Sequence, residues 1–111
     1  MISRSSFEDN KLMNYGYTAT TYKIIKFDTN KILYILNGMD IQDIKKRLNT
    51  ECSIINSNNN NYYELVKQNM KKNNCIIINN DKMSNNEIDL LIKLSDSEKY
   101  NIIIKSVVKM N

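Results

Sequence analysis

Residues 73–81 read NNCIIINND, and residues 101–105 read NIIIK. Three consecutive isoleucines stand beside asparagine twice, about twenty-five residues apart, and this pattern decides the fold. A short, continuously apolar, β-branched run between turn-forming residues predicts a strand covered on both faces. Between the runs lies a complete helix start. Ser84 is placed to cap, Glu87 to close a capping box, and Met83 and Ile88 to form a hydrophobic staple. Ile88, Leu91 and Ile92 supply the apolar face, and the polar stretch SDSEKYN (95–101) ends the unit. The two isoleucine runs are therefore expected as neighbouring parallel strands of one βαβ unit, with the asparagines as punctuation.

Upstream, YTATTYKIIKFDTNKILYIL (17–36) is rich in Thr, Tyr, Ile and Phe, residues that favour strands. Asp28-Thr29-Asn30 interrupts it with turn formers. The expected product is a β-hairpin of Ala19–Phe27 and Lys31–Leu36. After Asn37-Gly38, Asp40 is placed to cap a helix of about ten residues. Its stripe is Ile41, Ile44 and Leu48, and its last turns hold Lys45, Lys46 and Arg47, where cations complement the helix dipole. CSII (52–55) reads as a short strand or a buried turn, and residues 56–61 as a loop. YYELVKQNMKK (62–72) reads as a second helix with Tyr62, Leu65, Val66, Asn69 and Met70 along one side. Residues 1–14 are polar and read as an extended arm or a short helix.

The expected fold is one small α+β domain spanning residues 1–111. It combines an N-terminal β-hairpin, helices and a C-terminal βαβ unit in a four- or five-stranded mixed sheet. The 111 residues suffice for a single core. Mean hydropathy is −0.51 and no apolar run exceeds the five residues of ILYIL (32–36), so no membrane span, secretory signal or membrane partner is expected. Cys52 and Cys75 read as buried free thiols of a reducing compartment, with a disulfide between them as the alternative; the free-thiol reading points to an intracellular protein. Asn, Ile and Lys dominate while Pro, His and Trp are absent, a usage expected of an AT-rich genome such as that of a virus, phage or parasite.

Absent residue types narrow the chemistry. Without histidine there is no Ser–His or Cys–His pair and no histidine base. No phosphate-cradling glycine loop occurs, and the carboxylates show no ligand spacing. The expectation is a non-enzymatic binding module with no cofactor and no metal.

The net charge is +4, and residues 41–72 hold six basic side chains against three acidic ones. Lys45, Lys46, Arg47, Lys67, Lys71 and Lys72 are therefore the candidate nucleic-acid-binding residues. Lying side by side, the two middle helices would merge them into one patch for RNA or a ribonucleoprotein. The alternative partner is a protein, met by the sheet edge or by tyrosines such as Tyr15, Tyr17, Tyr22, Tyr62 and Tyr63. Exposed aromatic rings can stack on single-stranded bases or anchor a protein interface.

NGMDIQDIKKRL (37–48), after a predicted hairpin, resembles the strand-to-helix passage of ubiquitin-like β-grasp domains. The resemblance covers roughly residues 20–48, and the terminal KMN lacks the diglycine needed for conjugation. The order hairpin, helix, strand, strand, helix, strand also resembles a family of small eukaryotic translation initiation factors. There ECSII (51–55) would supply the third strand and residues 75–104 the last strand–helix–strand. That family's basic hairpin loop is replaced here by Asp28-Thr29-Asn30-Lys31, and the helix at 62–72 is additional.

Overall fold

The computed structural model describes the backbone of residues 3–8 and 17–109 and the side chains of residues 21–105. Among the described residues, six strands and three helices follow one another. They are β1 (Ser3–Glu8), β2 (Tyr17–Ile25), β3 (Ile32–Leu36), α1 (Gly38–Arg47), β4 (Ser53–Asn56), α2 (Tyr62–Met70), β5 (Cys75–Asn79), α3 (Asn85–Ser97) and β6 (Asn101–Lys109). The domain is α+β with a mixed sheet in the order β1-β2-β6-β3-β5-β4. The five strands from β2 onward are those anticipated. Ser3–Glu8, read as arm or helix, adds a sixth by pairing antiparallel with β2. Residues 1–2 and 9–16 lie outside the described residues.

Both isoleucine runs are strands, and both are parallel to β3. They are not neighbours. β3 lies between them, with Tyr34 opposite Ile77 on one side and Ile103 on the other. The expected β2–β3 hairpin is also corrected: β6 inserts between those strands and pairs antiparallel with β2. The reason is burial. LYIL in β3 is buried on both faces, so it takes the centre of the sheet between the two most apolar strands.

Direction of travel assigns the helices to faces. The step from β3 to β4 crosses the sheet one way, and the steps β4–β5 and β5–β6 cross it the other way. A single crossover hand then requires α1 on one face and α2 and α3 on the opposite face. The packing agrees. Ile41, Ile44 and Leu48 of α1 pack with Tyr34, Leu36 and Ile77. Val66 and Met70 of α2 and Leu91 and Leu94 of α3 pack with Leu33, Ile35, Ile76, Ile78 and Ile102.

Asn37, not Asp40, is the N-cap of α1: its Oδ1 accepts from the Asp40 N–H at 3.2 Å, and Asp40 sits inside the first turn. The α3 start is as the sequence predicts. Ser84 Oγ accepts from the Glu87 N–H at 3.2 Å, and Glu87 Oε1 accepts from the Ser84 N–H at 3.1 Å.

Candidate functional site

All three helices run back against the parallel strands, so their C-termini gather at the N-terminal end of β3, β4, β5 and β6. That end of the molecule is basic. The last turn of α1 contributes Lys45, Lys46 and Arg47, and the end of α2 contributes Lys67, Lys71 and Lys72. Lys26 and Lys31 flank the β2–β3 turn, and Lys99 follows α3. Asp28, Glu51, Asp96 and Glu98 are the acids there. At the opposite end the helix first turns hold Asp40, Glu64 and Glu87, with Lys105 pairing with Asp40 at 2.9 Å. Acids in the first turns of all three helices and bases in the last turns of α1 and α2 suit the helix dipole; the last turn of α3 holds no base and carries Asp96.

The six predicted residues are all exposed. The helices carrying them do not lie side by side, because the sheet separates α1 from α2. The two trios share an end of the sheet and flank it from opposite faces. Arg47 pairs with Asp43 at 4.0 Å and Lys67 with Glu64 at 3.9 Å, both at long, exposed separations of little net worth. Lys45, Lys46, Lys71 and Lys72 have no ion pair among the described residues.

Three fixtures hold this end in shape. The first is Asn101, which opens the second isoleucine run and is buried at 3% exposure. Its Oδ1 accepts from the backbone N–H of Lys26 and of Phe27, each at 2.9 Å, and its Nδ2 donates to the Phe27 carbonyl at 3.0 Å. One side-chain amide thereby satisfies the chain end of β2. The second is a disulfide joining Cys52 to Cys75, whose Cα atoms lie 4.7 Å apart. The free-thiol reading is thus corrected. The β4–β5 register sets Ser53 opposite Ile76, which brings the two preceding cysteines together. The intracellular reading loses the support it drew from free thiols. The third fixture caps α2. The Tyr100 hydroxyl lies against the carbonyls of Met70 and Asn73, and Asn73 Nδ2 donates to Ser53 Oγ at 2.7 Å. Burial raises the Tyr100 pKa, with the Glu98 charge adding to it.

Asn101 and Tyr100 escaped the sequence reading because the stretch SDSEKYN is polar. The available signal was a tyrosine and an asparagine immediately before a buried strand. Both have a polar tip that must find a partner when buried.

A cleft of about 640 Å³ opens between α3 and the end of β2. Tyr22, Ile24, Ile88, Ile92 and Ile104 line its wall. Lys26 and Asp96 pair across its mouth, and Lys26 Nζ lies 5.6 Å from the centre of the Phe27 ring. Of the other tyrosines singled out above, Tyr62 is buried and donates to Glu87 Oε2 at 2.8 Å, and Tyr63 is half-buried. Burial and the Glu87 carboxylate push Tyr62 up to about 12, and the same hydrogen bond lowers Glu87. Tyr15 and the side chain of Tyr17 lie outside the described residues.

No protein-family model, curated protein or solved structure matches this chain. Among the described residues, no helix is long and apolar enough to cross a membrane.

Proposed function

We propose that the domain is a non-enzymatic binding module that docks on RNA, free or within a ribonucleoprotein, through its basic end. The observation that carries the reading is the gathering of both predicted trios, with Lys31 and Lys99, at one end of the sheet. A strand of phosphates laid across that end would meet α1 on one side and α2 on the other. Neutralising phosphates in this way releases counterions, so affinity falls steeply with salt.

The test is binding of RNA to the intact protein as a function of salt. Reversing Lys45, Lys46 and Arg47 to Glu, or Lys67, Lys71 and Lys72 to Glu, should each weaken binding. Each should also flatten the slope of log K against log salt, by roughly 0.7–0.9 for every phosphate no longer neutralised. Lys82→Glu, at the opposite end of the sheet, is the control and should have much less effect per charge. Equal effects per charge would reduce the attraction to net charge alone, and no RNA binding at low salt would discard the reading. A protein partner at the edge strand β4, whose Ile54 is 44% exposed, would then lead.

A further inference from the structure

We infer that the basic end takes single-stranded rather than duplex RNA, with an unstacked base entering the cleft between α3 and β2. The inference rests on the reading of the basic end as an RNA site and names the form of RNA it accepts. A site that reads only phosphates needs a charged surface and nothing more. Here the charged surface borders an apolar cleft with aromatic rings, which is the second half of a single-strand site.

The cleft, at about 640 Å³, is large enough for a nucleobase. Phe27 and Tyr22 both line it, Tyr22 on the strand that forms one wall and Phe27 just beyond that strand's end. Phe27 is held in advance. Asn101 accepts from its N–H and donates to its carbonyl, so the backbone that presents the ring is fixed before any ligand arrives. Charge divides the ligand between surfaces. Lys26 and Lys93 line the cleft against Asp89 and Asp96, with Lys26 paired to Asp96, so the cleft carries no net charge and offers phosphate no net attraction. Phosphates belong outside, on Lys31, Lys99 and the two trios. A neutral base can enter the cleft beside Phe27. A duplex keeps its bases stacked and paired, and could use only the outer surface.

The experiment measures binding of the whole protein to a short single-stranded RNA and to a duplex of the same length, at matched salt. Unmodified protein should prefer the single strand by about tenfold or more, the range that one stacked base supplies. Phe27→Leu keeps an apolar side chain of similar bulk and removes the stacking face. It should erase the preference and leave duplex affinity unchanged, while Phe27→Tyr should retain the preference. Equal affinity of the unmodified protein for both RNAs overturns the inference and leaves the basic-end reading standing. So does a preference that survives Phe27→Leu. Binding to neither RNA overturns the reading on which the inference rests.

Discussion

The two isoleucine runs occupy equivalent places and are anchored differently. β5 and β6 flank β3 in the same register, so that Cys75 and Asn101 both stand opposite Ile32, and Ile77 and Ile103 both stand opposite Tyr34. Each run opens with a residue that ties down the chain next to it on the outer side. Cys75 does so by a covalent bond to Cys52, just ahead of β4. Asn101 does so by hydrogen bonds to Lys26 and Phe27, just beyond β2. Their coverage differs too. Ile77 is fully buried beneath α1, while Ile103 on the same face is only half-buried, because α1 lies over β3 and β5 and leaves part of β6 open. Identical strings of side chains are thus worth different amounts, and the neighbours set the difference.

The largest effect tests that coverage. Ile77→Ala should cost about 2–5 kcal/mol, from lost burial plus a cavity that packed neighbours cannot close. Ile103→Ala removes the same atoms from a half-open site that water can refill, and should cost about 1–2 kcal/mol. Equilibrium denaturation of both variants checks this. Equal losses would mean that the α1 face is closed over β6 as well as over β5.

Next comes the covalent anchor. A bridge spanning 23 residues of chain removes loop-closure entropy from the unfolded state, about 3 kcal/mol in the chain-entropy model. Reduction, or the double change Cys52→Ser and Cys75→Ser, should lower stability by about that amount. Hydrogen exchange should show the loss first in the four-residue edge strand β4. Counting free thiols in protein taken from its native cell under alkylating conditions would show which form is present there. No stability change on reduction would mean that register alone holds β4 to β5.

The anchors also mark the limit of what could be read from the chain. Strand and helix identities were legible wherever one residue pattern had one physical meaning. The runs CIII and NIII could only be buried strands, and Ser84 with Glu87 could only open a helix. Strand order was not legible. Two runs joined by a helix suggest adjacency, but β3 is just as apolar and competes for the central place. The basic residues were legible as types and as helix-end positions. Their division between two faces followed from the crossover directions, which depend on strand order. Cys52 and Cys75 read as separate thiols because their proximity appears only once β4 and β5 are paired.

The smaller effect concerns the asparagines that precede the two runs, and it separates punctuation from structure. Asn74 stands before Cys75, is exposed, and contributes its backbone carbonyl, which accepts from the Ile32 N–H at 2.8 Å. Any residue supplies that carbonyl, so Asn74→Ala should change stability by no more than about 0.5 kcal/mol. Asn101 stands before Ile102 and spends its side chain on two backbone donors and two backbone carbonyls, those of Phe27 and Thr29. Asn101→Ala leaves those groups without partners at a part-buried site and should cost about 1–3 kcal/mol. Asn101→Asp discriminates further. A carboxylate can still accept from the N–H groups of Lys26 and Phe27, but it cannot donate to the Phe27 carbonyl and instead places a charge against it. Its stability should fall between those of the unmodified protein and Asn101→Ala near neutral pH. Thermal denaturation of the three variants decides the matter. Equal, small losses for Asn74→Ala and Asn101→Ala would mean that both asparagines are punctuation and that the end of β2 is held by its pairing with β6 alone.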